Sequence, residues 1–154
     1  GEVTAEGLRP RHFEQHQGDN EKKSIIADFN WETKTLSMKV KHSVTTATLE
    51  KGTQDITSMA YQFMFAQPTG NELVLPVTTG KRVRTYRYKV ADRGLPLEIA
   101  AGKFKTLHLV DTDTSGDERE LWLGNESQHI PVRLSSRDDS GGKIEQTLTS
   151  LHVE

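Results

Sequence analysis

Along most of this chain apolar and polar residues alternate with a period of two, and a helical period interrupts that alternation once. Across residues 24–31, Ile25, Ala27, Phe29 and Trp31 take one side and Ser24, Ile26, Asp28 and Asn30 the other. Leu36, Met38 and Val40 then alternate with Ser37, Lys39 and Lys41, which describes a second strand with a solvated face. Similar segments recur at 73–79, 82–91, 95–100, 103–110, 118–124, 130–136 and 143–153. Gly80-Lys81, Asp92-Arg93-Gly94, Gly102, Ser115-Gly116, Asn125 and the stretch 138–142 punctuate them with turn-forming residues. The apolar phase changes between Leu148 and Leu151, which predicts a β-bulge there.

The interruption runs over residues 55–67. Ile56, Met59, Ala60, Phe63 and Met64 fall three and four apart, the spacing of a helix face, and Tyr61 and Phe65 widen the stripe. Thr53 or Asp55 is placed to cap its start, and Pro68 and Gly70 end it. A sheet of this many strands must curl, and one greasy helix fills its concave side. The predicted fold is therefore all-β and mainly antiparallel: a curved half-open β-barrel of about eight or nine strands packed around one α-helix. Residues 1–154 read as a single domain, with 1–23 an irregular, polar lead-in.

Composition limits what such a fold does. The 154 residues carry 20 Lys and Arg against 22 Asp and Glu, a net charge of -2, so bulk attraction to nucleic acid is not expected. No apolar run is long enough for a membrane-spanning helix. The absence of cysteine removes disulfides, thiolate metal sites and a cysteine nucleophile.

Several motifs, in order, resemble the bacterial domain-of-unknown-function family 3108. They are Gly7-Leu8-Arg9-Pro10-Arg11-His12-Phe13, then Phe29-Asn30-Trp31, then residues 49–58 with Gly52, Gln54 and Asp55. Gly102 with Thr106-Leu107-His108-Leu109, Leu121-Trp122-Leu123, Ile130-Pro131-Val132-Arg133 and Ile144-Glu145-Gln146 complete the series. The resemblance implies a periplasmic protein of Gram-negative bacteria without assigned activity. It also implies a fold similar to the half-barrels of lipoprotein carriers, which hold acyl chains between a curved sheet and a helical lid. Family members carry a signal segment and further strands ahead of the Gly-Leu-Arg-Pro motif, so this chain resembles the C-terminal part of a longer secreted protein.

Residues 111–118 imitate the start of a calcium loop, but position twelve is Trp122 and the flanks are strands, so a polar hairpin turn without metal is expected. The six histidines are scattered, and His12 and His16 lack the glutamate placement of a zinc-protease helix, so no metal set is expected. No nucleophile elbow, phosphate-binding glycine loop or dinucleotide fingerprint occurs, and the chain reads as non-enzymatic and without cofactor. Arg82, Arg84, Tyr86 and Tyr88 share a strand face that resembles a nucleic-acid platform, yet the balanced charge favours an exposed edge strand.

The leading expectation is a hydrophobic or lipid-like envelope ligand, bound without catalysis. Met59, Phe63, Leu107 and Leu109 would line its groove, and Arg84 and Arg87 would meet an anionic headgroup. The alternative is an envelope protein-interaction module with a dry core. If the strands at 24–31 or 36–40 lack a neighbour, two copies would pair edges as a weak homodimer. Otherwise residues 1–23 fold back over them, anchored by Leu8 and Phe13.

Overall fold

The computed structural model describes residues 1–16, 18, 24–113, 116–138 and 140–153. Its strands are β1 (Glu2–Thr4), β2 (Gly7–Arg9), β3 (His12–Gln15), β4 (Ile25–Asn30), β5 (Thr35–Val40), β6 (Ser43–Thr48) and β7 (Gln54–Asp55). After helix α1 (Ser58–Phe65) come β8 (Glu72–Thr78), β9 (Val83–Ile99), β10 (Gly102–Asp111), β11 (Glu118–Gly124), β12 (Ile130–Arg137) and β13 (Lys143–Thr147). The all-β, mainly antiparallel class, with one helix among the described residues, is thus what the chain adopts. The strands outnumber the expectation and form three sheets: β1-β2, β3-β4-β5-β6, and a seven-stranded sheet ordered β13-β12-β11-β10-β9-β8-β7. Backbone contacts group residues 1–66 with 75–85 in one unit, and 67–74 with 86–154 in another.

In the first unit, β4 and β5 alternate buried and exposed residues as their sequences require. The rungs Phe13↔Ala27, Ala27↔Met38 and Phe29↔Leu36 stack the buried side chains on one face. Phe13, Ile25, Ala27, Phe29, Leu36, Met38 and Leu49 form that core, with Trp31, Val40, Ala47 and Val83 packed against it. Both β4 and β5 are interior strands, because β3 covers one side and β6 the other. Residues 1–16 are therefore not an irregular lead-in, and Phe13 is the fold-back anchor. The edge on which a dimer through β4 or β5 depended is filled. Alternation could not disclose β6, since Ser43 to Thr48 carries only Val44 and Ala47 as apolar residues and is mostly exposed.

The helix is shorter than its apolar stripe. Asp55 Oδ1 accepts the backbone N–H groups of Thr57 and Ser58, both at 2.8 Å, satisfying donors that the first turn leaves free. Asp55 itself sits in β7, whose rungs Gln54↔Val77 and Asp55↔Thr78 are the one parallel pairing among the described strands. Ile56 therefore lies outside the helix and is exposed. At the β8–β9 turn, Gly80 holds φ +79, and a Cβ there would run into the Ile25 side chain.

In the second unit, β9 to β13 pair antiparallel in sequence order. The turn expected at Asp92-Arg93-Gly94 is absent, because the chain stays extended from Val83 to Ile99. Opposite β10, the rungs step from Thr106↔Leu95 to His108↔Asp92 and then to Leu109↔Val90, so β9 carries the extra residues as bulges. Gly94 does not adopt a positive φ, and Asp92 Oδ1 takes its N–H at 2.7 Å within the bulge. The bulge expected between Leu148 and Leu151 does not form, since β13 ends at Thr147 and Leu148 adds one last bond to Val132 O.

Candidate functional site

The Gly7–Phe13 segment is where the first unit builds a shaped surface. Gly7 has φ +108, and a Cβ there would collide with the Gln62 carboxamide, so only glycine fits. Gln62 Oε1 accepts the Leu8 N–H at 2.5 Å, while Gln54 Nε2 donates to Leu8 O at 2.8 Å. Both glutamines are buried, and they fasten β2 to the helix and to β7. Two residues on, Pro10 O accepts the Trp31 indole N–H at 2.6 Å. The Arg9 guanidinium lies 5.2 Å from the Trp31 ring centre, and Phe29 stacks nearby at 6.2 Å and 20°.

Beside this pair lies a groove of about 540 Å³. Leu8 and Trp31 supply apolar wall above the buried Leu49, and Arg9, Lys34 and Lys51 supply cations. Glu6 lines the same groove and pairs with Lys51 at 2.5 Å. A second hollow of about 580 Å³ shares Arg9 and Trp31, and there Arg11 pairs with Glu2 at 3.2 Å. The Arg9–Trp31 stack is thus a wall common to both. These residues belong to the sequence motifs, but their juxtaposition depends on how β2 docks and is not legible in the motifs themselves.

The residues expected to line a groove fall as follows. Met59 and Phe63 lie together on α1 in the first unit, and Leu107 and Leu109 lie on one face of β10 in the second. All four are buried, at most 6% exposed. Arg84 and Arg87 are exposed on β9, on opposite faces by parity, Arg84 in the first unit and Arg87 in the second. Tyr86 and Tyr88, read as part of an aromatic platform, are buried instead.

What occupies that strand face is a buried ion pair. Arg119 Nη2 stands 2.7 Å from Asp111 Oδ2, and the guanidinium lies 3.8 Å from the centre of the Tyr86 ring. Burial pushes the Tyr88 phenol pKa up, so it stays protonated in neutral solution. Asp111 ends β10 and Glu118 opens β11, two strands that pair antiparallel, and Asp111, first of the calcium-like series, is engaged by Arg119. Thr114 and Ser115 of that series lie outside the described residues. On the other face, His108 stacks on Trp122 at 4.6 Å and pairs with Glu120 at 2.7 Å.

Among the described residues, no three histidine, aspartate or glutamate side chains are grouped to hold a metal ion. No helix of the described residues is long and apolar enough to cross a membrane.

Fold and surface together define a mainly antiparallel β protein with one helix, whose first unit presents grooves around a tryptophan–arginine stack. The chain belongs to the DUF3108 family, described as protein of unknown function, whose model matches residues 1–149. No curated protein and no solved structure matches it.

Proposed function

We propose that this is a non-enzymatic periplasmic domain of the bacterial cell envelope that binds a hydrophobic or lipid-like ligand, and that the groove beside Trp31 receives it. The observation that carries the reading is the composition of that groove, with half-buried Leu8 and Trp31 bordered by Arg9, Lys34 and Lys51, and with Glu6 and Glu50 on the same rim. Apolar wall beside cations suits an amphiphile with an anionic head, because chain burial and charge pairing then act together. Met59, Phe63, Leu107 and Leu109 are too buried to offer the same access.

Native mass spectrometry of protein purified from its own cell envelope tests the reading. A lipid-sized adduct that disappears in Trp31→Ala supports it. Adduct-free protein that also fails to quench Trp31 fluorescence with lysophospholipid overturns it.

A second reading, a protein-interaction module, has its own support. Tyr61 and Phe65, one helical turn apart, remain 46% and 45% exposed, which is unusual for large aromatic side chains.

A further inference from the structure

One face of the β3-β4-β5-β6 sheet is core, and the other collects cations at the end that carries the β5–β6 turn. The rungs Glu14↔Ile26 and Ile26↔Lys39 place Glu14 and Lys39 on that outer face, and His16 follows Glu14 by two residues. Lys41 and His42 make the two-residue connection between the paired Val40 and Ser43. His16, Ser24, Lys39, Lys41 and His42 border a hollow of about 460 Å³.

Among the described residues, the side chains of Lys39, Lys41 and His42 have no hydrogen-bond or ion-pair partner. The carboxylate that also borders the hollow is already engaged. Glu14 Oε1 lies 2.9 Å from His16 Nε2, and its Oε2 lies 3.6 Å from His12 Nε2. His12 in turn meets Asp28 at 2.6 Å. His16 Nδ1 is 2.9 Å from Ser24 Oγ, so the imidazole and the hydroxyl are held in place at the rim.

Cations crowded on neighbouring sheet positions repel one another, and an anion among them relieves that repulsion. The whole chain carries a charge of -2 and attracts anions poorly in general, so any affinity must arise locally. We propose that this hollow binds a phosphate group, either free or as the head of a phospholipid. The lysine ammoniums supply charge and rotatable donors, and the Ser24 hydroxyl and the His42 imidazole supply directed polar contacts. The site shares no lining residue with the Trp31 groove and stands independently of the function proposed there.

The test titrates inorganic phosphate into the intact chain by ¹H–¹⁵N NMR, with a parallel arm measuring sedimentation with phosphatidylglycerol-containing vesicles. Saturable shifts at Lys39, Lys41 and His42 are expected, at least about tenfold weaker in the double variant Lys39→Glu, Lys41→Glu. A control double variant, Lys103→Glu with Lys105→Glu, carries the same charge change on exposed positions of β10 that border neither hollow, and should bind phosphate as the parent does. Thermal melts of both variants establish that they fold. Binding of phosphate alone assigns the site to a soluble anion, and binding of vesicles as well assigns it to a headgroup. Unsaturable shifts, or equal weakening in both double variants, overturn the proposal.

Discussion

The side-chain oxygen of Gln62, inside helix α1, accepts the backbone N–H of Leu8 at 2.5 Å across 54 positions of sequence. A polar residue in an otherwise apolar stripe thereby fixes the strand that forms one wall of the Trp31 groove. Replacing Gln62 with leucine keeps the bulk and removes the acceptor, leaving a half-buried amide unpaired. We expect a loss of ~1–3 kcal/mol in urea unfolding, the usual cost of such an orphaned donor. A loss below about 0.5 kcal/mol, within the range of an ordinary surface change, would show that the clasp contributes little.

Phe63, one residue beyond Gln62, is 2% exposed. Phe63→Ala should cost ~3–5 kcal/mol, because the emptied aromatic site cannot collapse fully. The same unfolding experiment measures it. A cost under about 1 kcal/mol would mean that the ring sits in a relaxed or ligand-accessible environment.

How far the sequence disclosed this arrangement varies from element to element. Phe29 and Leu36 alternate with polar residues in strands that have one wet face, so β4 and β5 could be read directly. β6 could not, because Ser43 to Thr48 packs little and is held by backbone pairing to β5. Asp92-Arg93-Gly94 has turn composition, but a bulge uses the same residue types, and local sequence does not separate the two. The site was less legible than the fold. Gly7, Arg9, Trp31 and Gln54 were all visible as motif residues, yet what joins them is contacts between segments far apart in the chain. Gln62, a lone amide amid Met59, Ala60 and Phe63, was the one local sign of a buried polar anchor.

His12 offers a titration with a definite sign. The Asp28 carboxylate 2.6 Å from Nδ1 is the largest influence and raises the His12 pKa above 6.5, with Glu14 adding to it. A histidine whose folded pKa is raised stabilises the fold fully below its unfolded value, and the contribution fades as pH rises through the folded value. Because His12 is largely exposed, its effect on stability is small, and the direct readout is the NMR titration of its imidazole. Asp28→Asn should bring the midpoint down toward 6.5. An unchanged midpoint would show that Asp28 does not hold the imidazolium.

The Asp111–Arg119 pair makes the opposite kind of prediction, about charge with little access to water. Asp111 is 2% exposed at its side chain and Arg119 15%, with 2.7 Å between their charged atoms. Asp111→Asn leaves the guanidinium facing Tyr86 and Tyr88 without its counter-charge, so ~3–5 kcal/mol of stability should be lost. Removing both charges together, as Asp111→Leu with Arg119→Met, also removes the desolvation penalty that both ions carry. The double variant should therefore recover most of the loss, as apolar replacement of a buried pair commonly does. A double-mutant cycle in urea, with Asp111→Leu and Arg119→Met as its single variants, measures the coupling directly. If Asp111→Leu and Arg119→Met each cost little and simply add, the two groups are solvated independently, and the pair does not hold β10 against β11.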